Sequence, residues 1–362
     1  MKLVIVTNIP APYRLPIYER LNNKYKNDFL VIYCSQKESN RKWNLGDFKF
    51  NHLFLKENVK AKKDGFNFVH NNPDVFHELK KYNPDIIITT GFNPTHLYSW
   101  IYAKLFRKKH ICMTDGWIYS ESSLFSIHKI IRKIIFKSSS AFIGASKNSL
   151  DLYRSYNIVE EELFQSHLCI DNNKFRNQFN FNDREYDLMF SGQFTDRKLP
   201  LFFADVAYEV SKVVKKLKIL ILGDGPLKKE FFAKLDSLGL DYHYAGFVTQ
   251  AELPQLYASS KLFLFPTKVD AWGVVVNESM ASGTPVITTP YAGVVNDLLI
   301  DKENGLILPI DSILWSEEIK KVLSNEQLWN VFSKNSIKTV QEFNFDTAAK
   351  GIIDASEYAY AK

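Results

Sequence analysis

The sequence predicts an α/β protein built from two consecutive, doubly wound parallel-sheet domains. Short apolar runs rich in β-branched residues recur along the chain, and helical patterns separate them. Strands that are apolar throughout are typical of parallel sheets covered on both faces. The series occurs twice, and 362 residues exceed what one hydrophobic core usually organises, so two Rossmann-like domains are expected.

The first series begins with the run KLVIVT at 2–7, and a helix is predicted after Pro16. Further strands are predicted at 29–34, 85–89, 110–114 and 141–145. Helices between them are predicted at 73–82, 95–107, 126–137 and 147–156. Strictly alternating strands and helices place each new strand parallel to the last, because the helix carries the chain back across the sheet.

The second series has strands predicted at 187–191, 217–222, 241–246, 261–265 and 285–289. Its helices are predicted at 199–214, 226–238, 252–259 and 274–282. Residues 312–360 carry helical patterns only. We therefore expect domains at 1–170 and 171–344, joined near 169–178 without a low-complexity linker. Ligand is expected in a cleft between the carboxyl ends of the two sheets.

Composition indicates a soluble globular protein, with 46% hydrophobic and 24% charged residues. The start, MKLVIVTN, enters a β-like run directly and does not resemble a signal peptide, and no apolar stretch reaches the roughly 18 residues that span a bilayer. The three cysteines, Cys34, Cys112 and Cys169, lie far apart and have no metal spacing. A reducing cytoplasm is the expected location.

The charge is unevenly distributed. Residues 1–168 hold 25 Lys and Arg against 15 Asp and Glu, whereas residues 169–362 hold 21 against 25. The basic half indicates an anionic partner such as a membrane surface, although lysines that only keep the protein soluble are the alternative. The helix at 126–137 and the cluster at 104–109 concentrate this charge. In the helix we expect the isoleucines to pack on the sheet and the cations to face water or anionic lipid.

The segment 264–289 reads as a buried strand, a polar loop, a helix that begins near Gly273, a turn and a second buried strand. A helix N-terminus presents unpaired N–H groups and binds phosphate readily. Asp270 precedes this helix start and Glu278 lies inside the helix. Carboxylates repel phosphate, so their presence indicates hydrogen bonds from sugar hydroxyls. The segment predicts a pocket for a sugar attached to a phosphate.

This segment resembles the donor site of retaining glycosyltransferase family 4, which has the GT-B fold and includes enzymes of bacterial polysaccharide and glycolipid synthesis. The family pattern is Glu, seven residues, Glu, and here it runs from Asp270 to Glu278 through Trp272 and Gly273. Asp in place of the first Glu shortens the side chain by about 1.5 Å. The resemblance implies that Asp270 contacts the transferred sugar and Glu278 the ribose. It also places Gly273 and the next residues, Val274 and Val275, at the donor.

The loop after the strand 187–191 carries the residues that the resemblance assigns to the donor diphosphate. Lys198 stands at the position of the family's lysine, shortly after Gly192. Gln193 occupies the position of the family's arginine, and Arg197 is the candidate to supply the missing charge. A fixed ammonium stabilises the charge that develops on a departing diphosphate. Lys198 and Asp270 are therefore predicted to be catalytic.

Two more turns of the second domain match the family. Gly223 and Gly225, in Gly-Asp-Gly-Pro, permit a tight turn and close approach of ligand, although a purely structural role is the simpler interpretation. Phe247 and Val248 follow a glycine in the turn whose backbone reads the nucleotide base in the family. All of these residues are predicted to bind donor.

The first domain matches the family less well. Its opening loop lacks the Gly-Gly pair that approaches the donor phosphate in many members, so Tyr13 and Arg14 are the candidates for the acceptor and phosphate side. Asp115 ends the strand 110–114, where several members place a histidine. It could orient an acceptor hydroxyl or accept its proton. The resemblance also implies that the last helix, 345–362, packs back on this domain.

The resemblance thus implies a retaining transfer of sugar from a UDP- or GDP-sugar to a hydroxyl of a saccharide or lipid-linked acceptor. We expect no metal, since no Asp-x-Asp pair occurs, and neither a cofactor nor nucleic acid as a partner. The basic domain would dock on the cytoplasmic face of an anionic membrane. The alternative is a catalytically inactive sugar-nucleotide-binding or scaffolding subunit, because Gln193 and Asp270 both depart from the family pattern.

Overall fold

The computed structural model describes residues 1–39, 46–61, 68–122, 124–176, 179–246 and 248–362. These form two units, Met1–Leu168 with Phe345–Lys362, and Cys169–Asn344. Each unit is built on its own parallel sheet with helices packed against it. This arrangement of two parallel-sheet α/β units confirms the predicted fold class.

The first unit contains β1 Leu3–Thr7, β2 Phe29–Tyr33, β3 His52–Phe54, β4 Val59–Ala61, β5 Phe68–His70, β6 Ile86–Thr89, β7 Lys109–Thr114, β8 Ala141–Gly144 and β9 Leu163–Gln165. Seven of these form a parallel sheet in the order β3-β2-β1-β6-β7-β8-β9, while β4 and β5 form an antiparallel pair. The chain order reverses between β1 and β6, and β1 pairs with both β2 and β6 from Leu3 onward. A reversal of this kind opens a crevice at the carboxyl ends of the two strands.

The helices of the first unit are α1 Leu15–Tyr25, α2 Val75–Tyr82, α3 Pro94–Leu105, α4 Ile118–Glu121, α5 Ser126–Ser138 and α6 Lys147–Arg154. Their apolar faces bury β1, β2 and β6, whose apolar side chains are 8% exposed or less. Burial on both faces explains why these strands are apolar at every position rather than at alternate ones.

The second unit contains β10 Tyr186–Ser191, α7 Pro200–Ser211, β11 Ile219–Leu222, α8 Lys228–Ser237, β12 Tyr242–Gly246, α9 Leu253–Ala258, β13 Ser260–Phe265, α10 Val274–Ala281, β14 Val286–Thr288, β15 Gly305–Ile307, α11 Ser312–Leu323 and α12 Glu326–Glu342. Its sheet order is β12-β11-β10-β13-β14-β15. A core of interlocked rings, including Phe190, Phe203 and Phe231, fills the space under α7 and α8. The reversal here lies between β10 and β13.

Five strands were missed from the sequence, and all are three residues long: β3, β4, β5, β9 and β15. A three-residue strand is shorter than any periodicity that could reveal it. All five lie on sheet edges or in the separate antiparallel pair, where tertiary pairing rather than local pattern decides their conformation.

The expected orientation of α5 was wrong. Ile127, Ile130 and Ile134 are exposed, and Arg132 is buried. The Arg132 guanidinium donates to Glu121 at 2.8 Å and lies over the ring of Phe92. A buried partner for one cation therefore turns the helix so that most of its isoleucines face outward.

The last helix, α13 Phe345–Ala361, belongs to the first unit, where it packs against α1, β8 and β9. Gly351 is the point of closest approach, since a Cβ built there would lie 1.8 Å from the carbonyl oxygen of Gln165. Only a residue without a side chain allows this contact.

Gly351→Ala is expected to destabilise the protein by about 2 kcal/mol through overpacking. The sign of the change in stability is informative, because Gly→Ala inside a helix otherwise stabilises a protein by about 1 kcal/mol. Urea denaturation measures the change, with Lys350→Ala as the matched control at an exposed neighbouring position. A Gly351→Ala protein as stable as the wild type would show that the helix is not held at this contact.

Candidate functional site

The candidate site of the second unit lies at the carboxyl ends of β10 and β13, where the strand order reverses. Lys198 ends a short 3-10 turn after β10, and Asp270 lies in the loop after β13. The Lys198 ammonium donates to Asp270 Oδ2, and Arg197 donates to the same oxygen at 2.7 Å. One carboxylate thus binds two cations that are adjacent in the sequence.

The backbone holds this carboxylate in place. The amide N–H of Asp270 donates to the carbonyl of Tyr291 at 2.9 Å, and its carbonyl accepts from Gly293 at 3.0 Å. A Cβ at Gly293 would meet the carbonyl of Ala271 at 2.0 Å, so glycine is required there. The hydroxyl of Thr267 donates to the carbonyl of Arg197 at 3.0 Å, which joins the two loops. Asp270 is therefore presented by a rigid scaffold.

Burial and neighbouring charges shift the pKa values of this cluster in opposite directions. Burial alone would raise the pKa of Asp270, but the charges of Lys198 and Arg197 outweigh it and lower the pKa to about 2. Burial lowers the pKa of the Lys198 ammonium, and Asp270 counteracts that effect. The ammonium also lies 4.2 Å from the ring centre of Phe265. Asp270 is thus a carboxylate at neutral pH, held against a buried cation.

The glycine turns lie directly beside this cluster. A Cβ at Gly223 would be 1.9 Å from the carbonyl oxygen of Gly192, and the φ of Gly223 is +120°. A Cβ at Gly225 would be 2.6 Å from the carbonyl oxygen of Phe194. The turn after β11 therefore packs backbone to backbone on the turn after β10. This geometry gives both glycines a structural role, whatever they contact in a ligand.

Helix α10 begins at Gly273, whose φ is +100° and whose Cβ would overlap the ring of Phe265. Val274 and Val275 form its first turn and are half-buried. Just before it, the amide N–H of Trp272 donates to Asp270 Oδ1 at 3.2 Å, and the Trp272 indole donates to Asn277 at 2.8 Å. The helix N-terminus and the Asp270 carboxylate are thus fixed at one place.

Glu278 lies deeper in α10 and is 8% exposed. Burial raises the pKa of its carboxyl to about 7, and a hydrogen bond with Tyr257 opposes this shift. The Tyr257 hydroxyl donates to Ser191 at the end of β10, at 3.1 Å. Tyr257 and Ser191 were missed as candidates, because neither carries a signal in sequence beyond membership of a helix and a strand. Val248 is half-buried after β12, and Phe247 lies outside the described residues.

The first unit has a cavity of about 190 Å³ where β1, β6 and β7 end, lined by Thr7, Asn8, Tyr13, Arg14, Glu38 and Asp115 among others. Arg14 is 7% exposed, and its guanidinium donates to Asp115 Oδ1 at 2.8 Å. The Asp115 side chain is 38% exposed. Arg14 is thus a buried residue that positions a carboxylate.

Glu38 is the residue of this cavity that the sequence gave no reason to select. Its carboxylate lies 3.0 Å from Nε2 of His70, which is fully buried. The loop that carries it follows β2, the strand next to β1. Glu38 and Asp115 therefore line one cavity with two carboxylates, each held by a buried basic side chain.

Within the described residues, no three or more His, Cys, Asp or Glu side chains are grouped so as to hold a metal ion. No helix in the same part of the chain is both long and apolar enough to cross a membrane.

Most of the second unit matches a known protein family. Residues 171–339 match the family described as glycosyl transferases group 1. Crystal structures of Anabaena HepE share the architecture: the complex with UDP aligns with a TM-score of 0.78 at 16% identity, over 99% of this chain and 100% of that one. Residues 171–339 thus match a glycosyltransferase family, and the chain as a whole shares the fold of the Anabaena protein.

Sequence relatives agree with this. An uncharacterized glycosyltransferase of Methanocaldococcus jannaschii is 27% identical over 196 residues, which are 51% of this chain and 48% of the relative. The alpha-monoglucosyldiacylglycerol synthase of Streptococcus pneumoniae is 27% identical over 157 residues, 40% of this chain and 34% of that enzyme. The chain therefore matches half or less of the length of these relatives.

The residues predicted from the sequence fall into two groups. Gly192, Arg197, Lys198, Asp270 and Gly273 lie at the strand reversal of the second unit. Arg14, Tyr13 and Asp115 line the cavity of the first. Two of these residues have partners that the sequence did not indicate: the buried Arg14 binds Asp115, and Asp270 binds the cations that were assigned to phosphate.

Proposed function

We propose that this protein is a retaining glycosyltransferase of the family 4 type, which transfers a sugar from a nucleotide diphosphate sugar to a hydroxyl acceptor. The observation that carries the proposal is the meeting of Lys198, Arg197 and Asp270 immediately before the N-terminus of α10. Two cations and a helix N-terminus offer a site for a diphosphate, and the carboxylate beside them can accept hydrogen bonds from sugar hydroxyls.

In the reaction, the bond between the anomeric carbon and the phosphate oxygen breaks, and its electron pair passes to the diphosphate. Lys198, Arg197 and the α10 N-terminus stabilise that charge. The acceptor oxygen bonds to the anomeric carbon on the same face, and the acceptor proton passes to the leaving phosphate oxygen. Arg197 replaces the charge that Gln193 lacks. Asp270 holds both cations near the phosphate position and accepts a hydrogen bond from the transferred sugar.

The donor would be a UDP- or GDP-sugar. Glu278 is a buried carboxylate suited to accept hydrogen bonds from ribose hydroxyls, which both nucleotides carry. Support for UDP comes from the Anabaena HepE complex, which contains that nucleotide.

The acceptor would be a saccharide or a lipid-linked molecule that binds in the cavity of Asp115 and Arg14. The name of the Streptococcus pneumoniae relative describes a glycolipid synthase, which supports a lipid acceptor. Asp115, fixed by Arg14, would orient the acceptor hydroxyl. The product would enter cell-surface polysaccharide or glycolipid synthesis, and the enzyme would work in the cytoplasm at the inner face of the membrane.

Thermal stabilisation by nucleotides tests the donor half of the proposal. UDP or GDP should raise the unfolding temperature, whereas the corresponding nucleoside should raise it less, because it lacks the diphosphate that Lys198 and Arg197 bind. Hydrolysis or transfer of the matching nucleotide sugar then tests catalysis. Stabilisation without any transfer across saccharide and lipid acceptors would favour the alternative of an inactive sugar-nucleotide-binding subunit.

Asp270→Asn is expected to lower turnover at least tenfold, about 1.4 kcal/mol of transition-state stabilisation. The amide keeps the size of the side chain but no longer holds Lys198 and Arg197 by charge. Affinity for the free nucleotide should stay equal or increase, since a negative charge near the diphosphate is lost. Asp270→Glu, which restores the family residue, is the matched control and should remain active. Turnover and nucleotide affinity that fell together would indicate general damage to the site.

Transfer should proceed without a divalent metal, since Lys198 and Arg197 supply the positive charge that a metal would provide. We expect the rate to be unchanged after treatment with EDTA. Activity that disappears in EDTA and returns with Mg²⁺ or Mn²⁺ would contradict this expectation.

A further inference from the structure

Helix α5 presents a stripe of isoleucines to water. Ile127, Ile130 and Ile134 are 58%, 54% and 53% exposed. At 3.6 residues per turn their side chains lie within about 60° of one another around the helix axis. Phe125, just before the helix, is 76% exposed. We call these four residues the α5 docking face.

Packing fixes this orientation. Arg132, on the opposite side of α5, is 7% exposed and donates to Glu121. Ile135 and Phe136 are buried beside it, and the Phe136 ring packs edge-on against Phe142 of β8. Turning the isoleucines inward would expose this ion pair and unpack these rings. The docking face is therefore a consequence of the fold, and contiguous exposed apolar surface of this kind marks an interaction site.

The charge around the docking face is positive. Lys129, Lys133 and Lys137 are exposed along one edge of the stripe. The segment 122–139 contains no Asp or Glu. At the end of α5, Ser138 binds Trp100 and Lys104 of α3, a helix that also exposes Leu105. An apolar stripe with a cationic edge is the pattern of helices that lie in a membrane interface.

The charges also bear on which partner covers the face. A second copy of this chain, paired through the same face, would bring two rows of lysines together, and like charges at an interface oppose association. Anionic lipid offers the complementary surface, with phosphates for the lysines and an acyl boundary for the isoleucines.

We propose that α5 is a membrane-docking helix whose Phe125, Ile127, Ile130 and Ile134 insert into the interface of an anionic bilayer while Lys129, Lys133 and Lys137 contact lipid phosphates. The proposal rests on the proposed function, because docking would serve to bring the enzyme to a lipid-linked acceptor. The insertion distinguishes it from docking by charge alone, which salt would abolish.

Co-sedimentation with vesicles tests the proposal, using phosphatidylcholine alone and phosphatidylcholine with phosphatidylglycerol. The wild type should bind the anionic vesicles and retain part of the binding at high salt. Ile127→Ser/Ile130→Ser/Ile134→Ser should lower partitioning at least tenfold at every salt concentration. Lys129→Gln/Lys133→Gln/Lys137→Gln should lower it mainly at low salt. Ile313→Ser/Val331→Ser, at exposed apolar positions of the second unit, is the matched control and should bind normally.

Thermal stabilisation by UDP or GDP, measured on each variant, separates folding and donor binding from docking. The isoleucine variant should keep this stabilisation, since the changes lie outside the donor site. An isoleucine variant that binds vesicles like the wild type would overturn the proposal. A second result would also overturn it: the wild type fails to bind vesicles, and sedimentation velocity shows a dimer of the wild type that the isoleucine variant does not form. Failure of nucleotide stabilisation in the wild type would instead contradict the proposed function.

Discussion

Replacing Lys198 by methionine is expected to lower the rate of transfer by about a hundred- to a thousandfold, as does the loss of one well-placed group that stabilises developing charge. Methionine keeps the volume of the buried stem beside Phe265 but removes the ammonium that binds Asp270. Nucleoside diphosphate affinity should fall as well, by about 1.5–3 kcal/mol for a lost charge-assisted hydrogen bond. Steady-state kinetics and calorimetry measure the two effects.

The control for this variant is Lys268→Met. Lys268 lies in the same loop as Asp270, but its ammonium is paired with the exposed Asp196. Its loss should leave turnover near the wild-type value, because an exposed ion pair contributes little. Unchanged turnover in Lys198→Met would mean that the diphosphate lies elsewhere.

Stability provides a second measure of the same cluster. Lys198→Met leaves the buried Asp270 with Arg197 as its remaining cation, and an incompletely compensated buried carboxylate destabilises a protein. The double variant Lys198→Met/Asp270→Asn should therefore be more stable than Lys198→Met alone. Urea denaturation distinguishes this coupling from independent effects, which would simply add.

Glu278→Gln is expected to weaken nucleotide binding strongly and to remove most of its dependence on pH. An ionised carboxylate accepts a strong hydrogen bond at each oxygen, one from each ribose hydroxyl, whereas the neutral acid keeps a proton on one of its oxygens; burial raises the pKa of Glu278 to about 7. In the wild type, affinity should therefore rise as pH increases through about 7. Calorimetry between pH 6 and 8 measures this, and Glu278→Gln serves as its own control for titration of the nucleotide phosphate. The same pH profile in both proteins would exclude Glu278 as the ribose acceptor.

The same substitution should stabilise the ligand-free protein in alkaline buffer. The pKa of Glu278 is higher in the folded chain than its ordinary value of 4.5, so the folded state binds the proton more tightly. Stability from this group is fully present below pH 4.5 and is lost as pH rises through about 7. Glu278→Gln lacks that loss and should gain a few kcal/mol over the wild type at pH 8, but little at pH 4.5. A variant less stable than the wild type at pH 8 would contradict this account.

Together these expectations describe a site whose buried carboxylates lower the stability of the ligand-free protein. Glu278 is a carboxylate buried in a helix with one tyrosine partner, and Asp270 is held by cations that a diphosphate would also need. Binding of the donor would satisfy both groups. Substitutions that stabilise the free protein while removing function are the usual signature of such sites.

The sequence was sufficient for the sheets because their strands are buried on both faces. Runs such as LVIVT in β1 and ILIL in β11 have no exposed position, so their apolar character is continuous and easily recognised. The alternation with helices then led to parallel pairing. The short strands β3, β9 and β15 were not recognised, because their partners in the sheet, rather than their own three residues, determine their conformation.

The sequence also located the candidate site, since Gly192, Lys198, Asp270 and Glu278 follow or precede strands in a recognisable pattern. What it could not supply was which side chains meet. Arg197 and Lys198 are adjacent in the chain, and a regular helix would direct them apart, but the short 3-10 turn lets both reach Asp270. The same holds for Glu38, which joins Asp115 in one cavity although 77 positions separate them in the chain.

Helix α5 shows most clearly what the sequence alone could not predict. Its sequence alternates isoleucines and cations, and periodicity alone directs the isoleucines to the core. The tertiary structure decided otherwise, because Glu121 and the ring of Phe92 provide Arg132 with a buried ion pair and an aromatic contact. The sequence by itself determined the fold class, the strand series and the residues of the candidate site in the second unit, since these depend on local pattern. Only the tertiary structure decided the pairing of charges and the exposed face of α5, since both depend on partners distant in the chain.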